Sequence, residues 1–300
     1  MNRKIYFITL LALLAMQAVA QQLYVGTYNI RYKNENYDSR TNDQWSNRYR
    51  ALCAQINFES PDVFGAQEVL HVQLLDMLGA LDDYGYIGVG RDDGKEAGEY
   101  SAIFYKRDRL ELLDEGHFWL NETPDKPALG WDAACIRICT WGKFKDLRCG
   151  RQFYFFTLHM DHVGGNARRE AAKLVMERIG QMASPDDYVV LTGDFNVDQN
   201  DEIHSIFLED GLLKDTYSNA RIVFSENGTW NGFVPDKKDD SRIDHIFVSA
   251  PFRVEAYGMR TDSYWIPDGV KTNADGTTVP KFRRHDPSDH YPVFAKLFYK

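Results

Sequence analysis

A chain of 300 residues, 44% hydrophobic and 14% aromatic, can bury a sizeable core, which excludes an intrinsically disordered protein and allows one large α/β domain or two small ones. The formal net charge of −9 disfavours a nucleic-acid binder that relies on a broadly basic surface to grip phosphates. It fits a site that attracts a divalent cation, although solvated acidic faces are also common in exported proteins.

Residues 1–20 carry Arg3 and Lys4, run apolar from Ile5 to Ala15, and close on Ala18-Val19-Ala20 ahead of Gln21. That is the layout of a secretory signal peptide, with cleavage expected after Ala20. The apolar run is short for a bilayer span, and no later stretch is long and apolar enough to cross one. The expectation is an exported monomer, periplasmic or released, with one domain over residues 21–300 and no transmembrane anchor. The four cysteines, Cys53, Cys135, Cys139 and Cys149, are even in number. Cys53 falls on the apolar stripe of an expected helix, and Cys135 and Cys139 sit at same-face spacing on one expected strand, too far apart for a bridge. Most of them read as small buried hydrophobes, and the lack of a CxxC pair disfavours zinc.

From Leu23 the chain alternates strand and helix patterns. Leu23 to Tyr28 reads as a strand. Trp45, Tyr49, Leu52, Cys53 and Ile56 recur at helical spacing until Pro61. Asp62 to Ala66 is a buried strand ending at Gln67-Glu68, followed by a helix with Leu74, Leu75, Leu78 and Leu81 on its face. Short strands are expected at 84–89, 99–105, 110–113 and 117–120, with a loop over 90–98. Ala133 to Phe144 and Gln152 to His159 form a hairpin around a turn at 145–151. A helix carrying Ala171, Leu174, Val175, Ile179 and Met182 ends before Pro185. The apolar strand Val189-Val190-Leu191 then delivers Thr192-Gly193-Asp194-Phe195-Asn196. A short helix near 203–208, a long polar region over 214–241, and strands at 243–248 and 291–298 complete the reading. Strands inside and helices outside sum to one layered α/β domain.

Six polar groupings lie at strand ends: Asn29 closing GTYN, Glu68 closing AQE, His159 in TLHMDH, Asp194 and Asn196 in GDFN, Asp244 in RIDHIF, and Ser288-Asp289-His290 before the last strand. Each alone is compatible with a turn, a cap or a packed histidine. Together they supply carboxylates, amides and imidazoles at the rims of strands, which is what metal-assisted cleavage of a phosphate ester requires.

The set TYN, QE, TLH, GDFN, RID and SDH, in this order over about Tyr24 to Leu297, resembles the endonuclease/exonuclease/phosphatase superfamily. Its members include pancreatic-type deoxyribonuclease, abasic-site endonucleases, neutral sphingomyelinases, inositol-polyphosphate phosphatases and deadenylases. The resemblance implies a DNase I-like α/β (α+β) fold, a four-layer sandwich of two mostly antiparallel sheets flanked by helices. It makes Glu68 the principal ligand of Mg²⁺ (or Mn²⁺), with Asn29 and Asp289 beside it, and Asp194 the carboxylate that activates or orients water. Asn196 is implied to hold nucleophile and phosphate, His290 to stabilise phosphoryl charge with Asp244 behind it, and His159 to bind phosphate or protonate the leaving group, with Glu99 as its partner. A carboxylate beside each histidine is expected to keep the imidazolium protonated near neutral pH.

Outside those motifs, Asp132, Arg137, His162 and Arg168 are candidates for binding substrate, the arginines because a guanidinium suits bidentate phosphate recognition. Trp230 and Phe233 are candidates for lining a pocket. The expectation is an exported, Mg²⁺-dependent phosphoesterase whose partner is a small or lipid-linked phosphate ester. A secreted nuclease is the alternative, and an inactive binding module of the same fold is more remote.

Overall fold

The run Val189-Val190-Leu191 is apolar throughout because both of its faces are covered: Val190 points into one buried cluster, Val189 and Leu191 into another. In the computed structural model, which describes residues 21–234 and 237–300, the same division organises the whole chain. Fifteen strands form β1 (Gln22–Asn29), β2 (Val63–Val69), β3 (Tyr84–Ile87), β4 (Tyr100–Lys106), β5 (Leu110–Trp119), β6 (Ile138–Asp146), β7 (Gln152–His159), β8 (Tyr188–Asp194), β9 (Leu213–Asp215), β10 (Ile222–Phe224), β11 (Asp244–Ser249), β12 (Phe252–Met259), β13 (Tyr264–Thr272), β14 (Thr278–His285) and β15 (Val293–Tyr299) among the described residues. The helices are α1 (Glu35–Asp38), α2 (Trp45–Glu59), α3 (His71–Leu78), α4 (Gly165–Met182), α5 (Glu202–Ile206) and α6 (Thr216–Asn219).

One sheet has the order β10-β12-β15-β1-β2-β4-β3, a second β5-β6-β7-β8-β11-β9, and β13 and β14 pair as a separate hairpin. Leu23, Val63, Ile103, Phe144, Phe155, Val190, Ile246 and Val293 fill the space between the two large sheets. Trp45, Leu52, Ile56, Leu74 and Met77 from α2 and α3 cover the outer face of the first, on Phe64, Ala66 and Phe104. Ala171, Ala172, Val175 and Ile179 of α4 cover the outer face of the second. The result is the four-layer sandwich of the DNase I-like type. No helix among the described residues is long and apolar enough to cross a membrane. The expected signal peptide, residues 1–20, lies outside the described residues.

Strand register sets the site. The parallel pair β7–β8 aligns His159 with Asp194, and the antiparallel pair β8–β11 aligns Asp244 with Asp194. Three functional side chains therefore share one level at one end of the second sheet. In the first sheet, parallel β1–β2 pairing aligns Asn29 with Gln67, one residue short of Glu68. Below that level, Gln67 Nε2 donates to Thr157 Oγ1 (2.9 Å), tying the two sheets across a buried polar layer. Gly65 lies against it, where a Cβ would stand 2.1 Å from Thr157 Oγ1, so only glycine lets the sheets approach there.

The structure corrects several expectations. The segments at 110–113 and 117–120 belong to one strand, β5, whose bulge between Leu112 and Asp114 absorbs the turn-like residues. The hairpin strand expected from Ala133 starts only at Ile138. Cys135 sits in the preceding loop, its amide given to Asp161 Oδ2 (3.1 Å) and not to a strand partner. All four cysteines are free; Cys53 and Cys139 are buried, whereas Cys135 and Cys149 are partly exposed. The polar stretch 214–241 contains β9, α6 and β10, which are too short to show a period. The hairpin β13–β14 carries no sheet-like signal because almost every residue in it is at least partly exposed.

Behind Asp194 and Asn196, His245 donates from Nε2 to the carbonyl of Val197 (2.9 Å) and packs on Phe195 and His204. Burial, with the charge of His204 next, pushes its pKa down to about 3. A histidine depressed in the fold and ordinary when unfolded takes up its proton first in the unfolded chain. Stability is therefore intact above about pH 6.5 and falls as pH drops toward 3, by about 1.4 kcal/mol per pH unit for one such group. His245→Gln is expected to reduce that acid slope by about one proton, measured by urea unfolding between pH 4 and 7. An unchanged slope would show that His245 titrates alike in both states.

Candidate active site

Glu68 reaches the cavity because its backbone leaves the strand pattern. The β2–β4 register slips between Ala66 and Val69, and Glu68 takes φ +63°, a conformation that L residues rarely adopt. Such strain persists only where the surroundings enforce it. Here Asn29 Nδ2 donates to Glu68 Oε1 (3.0 Å) and the Tyr32 amide to Oε2 (2.9 Å). Burial works to raise the Glu68 carboxyl, but these two hydrogen bonds, with the charges of His290 and Arg31, bring it below the ordinary range.

Asp289 enters from the segment before β15, where Ser288 Oγ donates to the carbonyl of Asn29 (2.7 Å). Burial raises its carboxyl, the charge of His290 opposes that, and the charge of Glu68 adds to it. Glu68 and Asp289 feel each other's charge in one cavity, and Glu68 and Asp194 bring carboxylate oxygens within 4.8 Å of each other and of a His159 nitrogen, while Asn29 turns its amide nitrogen to both of the latter carboxylates, so the available donors are mainly hard oxygens. This chemistry fits Mg²⁺ or Mn²⁺.

Asp194 is the common neighbour of the remaining groups. Its Oδ2 accepts from Asn29 Nδ2 (2.9 Å) and lies 3.5 Å from His159 Nε2 and 3.7 Å from His290 Nε2. Its Oδ1 accepts from the Asn196 amide (3.0 Å), and Asn196 is held at φ +50° with Nδ2 donating to the carbonyl of Met160 (2.9 Å). Burial, and then the charge of Asp244, pushes Asp194 up to about 7.

The two histidines differ. His290 Nδ1 lies 2.9 Å from Asp244 Oδ2, and although burial opposes it, Asp244 and Asp194 raise its pKa to about 10. It is an imidazolium at neutral pH. His159 is pushed well below its ordinary value by burial and by Arg137 and Arg91, while Glu99 stands 4.0 Å from its Nδ1. The expectation of a protonated imidazole at both positions is not met alike: burial and the charges of Arg137 and Arg91 favour the neutral form of His159, and Glu99 accepts from Arg91 with both carboxylate oxygens (2.7 and 3.0 Å).

Glu68, Glu99, His159, Asp194, Asn196, Asp289 and His290 line a cavity of about 550 Å³ together with Arg31, Tyr32, Arg91, Cys135, Arg137, His162, Trp230 and Ile243, while Asn29 and Asp244 lie buried behind that wall. Arg137 is buried, 3.3 Å from Asp161 Oδ2, with Nη2 3.0 Å from His162 Nδ1. Asp132 and Arg168 are not part of this wall. Asp132 accepts from the amides of Asn166 and Ala167 (3.3 and 2.6 Å) at the start of α4, and Arg168 donates to the Asp161 carbonyl (2.9 Å). Both support the helix start outside this cavity, so the structure does not bring them together with the other expected site residues. Trp230 lines the cavity; Phe233 is not among the lining residues and packs on Arg48. Arg31 and Arg91 were not singled out from the sequence: no motif marks Arg31 two residues past GTYN, and Arg91 lies in a loop whose partner, Glu99, is visible only in space.

The pattern of the Endonuclease/Exonuclease/phosphatase family matches residues 26–290. The chain is 44% identical to an endonuclease/exonuclease/phosphatase family protein of Bacteroides thetaiotaomicron, with TM-score 0.86 over 93% of this chain and 98% of that one. It is also 44% identical to the mannosyl-6-phosphatase Bt3783 of Bacteroides thetaiotaomicron VPI-5482, with TM-score 0.85 over 92% of this chain and 100% of that one. Protein L388 of Acanthamoeba polyphaga mimivirus is 27% identical over 183 residues, which are 59% of this chain and 64% of that protein. The chain thus spans less than two thirds of that relative's length. With the family pattern running from β1 to His290 and the site built at the strand ends it covers, the chain belongs to the endonuclease/exonuclease/phosphatase family.

Proposed function

We propose that this chain is an exported, divalent-cation-dependent phosphatase that hydrolyses the phosphate monoester of a sugar by in-line attack of water. The observation that carries the reading is the placement of Asp194 Oδ2 within 4 Å of Asn29, His159 and His290, in one cavity with Glu68 and Asp289. Glu68 and Asp289, with Asn29 beside them, would hold Mg²⁺ or Mn²⁺, which when bound would neutralise phosphoryl oxygens and the departing alkoxide. Asp194, poised near neutrality, takes the proton of the attacking water at a carboxylate oxygen, and Asn196 orients that water. His290, kept charged by Asp244, donates from Nε2 to a phosphoryl oxygen as negative charge builds there. His159, neutral, adds a donor on the other side of Asp194.

The sugar is supported by the opposite wall and by the mannosyl-6-phosphatase relative. Arg91 and Arg137 are already paired, with Glu99 and with Asp161 and His162. Such pairs offer donors and acceptors side by side, which suits neutral hydroxyls better than a second phosphate. Export rests on the signal-like residues 1–20 and is checked by finding mature protein beginning at Gln21 outside the cytoplasm.

The test is a panel of hexose 6-phosphates, p-nitrophenyl phosphate, bis-p-nitrophenyl phosphate, inositol phosphates, sphingomyelin and DNA, with Mg²⁺ and with EDTA. Hexose monoesters are expected to show the highest kcat/KM, and chelation to abolish it. Faster cleavage of DNA or of the diester would replace this reading with a nuclease or phosphodiesterase.

A further inference from the structure

We propose that Arg31 is a specificity-determining residue that selects a dianionic phosphate monoester against a monoanionic diester; this rests on the phosphatase reading above. Arg31 holds φ +57°, and its neighbours show how that backbone is enforced. Its amide donates to Asn29 Oδ1 (3.0 Å), and its carbonyl accepts from Arg48 Nη2 (2.5 Å) and Gln73 Nε2 (3.0 Å). Arg48 and Gln73 are both fully enclosed. Arg48 also donates to the carbonyls of Ile30, Pro287 and Asp43, so one buried guanidinium fastens the segment after Asn29 to the segment before Asp289. Two buried side chains thus hold a non-glycine residue in a conformation that costs free energy, an outcome that calls for a role in the side chain so placed.

That side chain lies in the cavity wall beside the hard-oxygen donors. Its guanidinium stacks on Tyr32 at 4.5 Å, its Nη2 is 3.3 Å from Asp38 Oδ1, and its Nε, buried without an acceptor, stands 4.0 Å from Asp289 Oδ2. Among the described residues Nη1 makes no hydrogen bond to protein. Arg91 is forked onto Glu99 through both Nη atoms, and Arg137 pairs through Nε with Asp161 and through Nη2 with His162, whereas Arg31 alone of the three lies beside Asp289. Arg31 is the cation placed to meet a phosphoryl oxygen on the Asp289 side. A phosphate monoester has a second pKa of about 6 and so carries nearly one more negative charge at neutral pH than a diester. A fixed guanidinium at the phosphoryl end reads that difference through its charge and its unpaired Nη1.

The experiment compares p-nitrophenyl phosphate with methyl p-nitrophenyl phosphate, which share a leaving group, at saturating Mg²⁺. In Arg31→Gln the ratio of kcat/KM for monoester over diester is expected to fall at least about tenfold, chiefly through a higher KM for the monoester. The inhibition constant of inorganic phosphate is expected to rise in parallel. Arg31→Lys, which keeps the charge but loses the contact to Asp38 that fixes it, should lie between wild type and Arg31→Gln, and it carries the test if Arg31→Gln does not fold. Equal losses for both esters, leaving the ratio unchanged in the folded variants, would assign Arg31 to loop anchoring through Asp38 and overturn the inference. A wild-type protein that prefers the diester would overturn the phosphatase reading itself, and with it the role given to Arg31.

Discussion

Asp194→Asn is expected to lower kcat on a phosphate monoester by about 10²- to 10⁴-fold, the usual worth of a positioned acid or base. The melting temperature should stay level or rise. Asp194 is buried at the register point between β7 and β11, and its charge is opposed first by burial and then by Asp244. An amide of the same shape removes that opposed charge at the cost of altering one hydrogen bond, so stability and turnover should separate. Steady-state kinetics and a thermal melt on the same preparation measure both. Turnover near wild type would remove Asp194 from the chemistry. A loss of activity accompanied by unfolding would make it a structural residue.

Removing the divalent cation should have an effect of similar size. Electrostatic stabilisation by a bound cation supplies several kcal/mol, and 1.4 kcal/mol is a factor of ten in rate, so chelation is expected to reduce turnover by roughly 10²- to 10⁴-fold. Mg²⁺ or Mn²⁺ should restore it. Glu68→Gln keeps the side-chain shape but, with one oxygen in place of two, can accept from only one of Asn29 and the Tyr32 amide, and it removes one of the two carboxylates whose mutual repulsion a cation relieves. The variant is expected to need at least about tenfold more metal for half-maximal activity. Full activity after exhaustive chelation would show that the donor set of Glu68, Asn29 and Asp289 serves another purpose.

The layered fold and the chemistry-bearing strand ends were legible because each rests on local pattern. Val189-Val190-Leu191 announces a strand buried on both faces, and α4 announces itself through Ala171, Val175 and Ile179 on one side. Regular pairing then does the rest, since His159, Asp194 and Asp244 meet through register alone. The protonation states were less accessible. His159 is chemically like His290 in the sequence, and what separates them is that burial and the charges of Arg137 and Arg91 act on His159 while Asp244 is left to His290. Arg31 and Arg48 were invisible for a related reason: Arg31 is turned toward Asp38 and Asp289 by a positive-φ backbone, and the partners of Arg48 are backbone carbonyls, which leave no spacing to read. Asp132 and Arg168 lie outside the cavity, and a carboxylate or guanidinium that builds a helix start has the same sequence appearance as one that meets a ligand. The hairpin β13–β14 was missed because its strands are not buried on either side and so carry no apolar alternation.

Everything in the proposed chemistry depends on Glu68 and Asp289, brought to one rim of the first sheet by β2 and by the segment before β15, holding a divalent ion. Calorimetric titration of Mn²⁺ into EDTA-stripped protein, wild type beside Glu68→Gln, measures this directly. Saturable binding to the wild type, weakened at least about tenfold in the variant, is the predicted result. No binding to the folded wild type, or equal binding to both proteins, would contradict it.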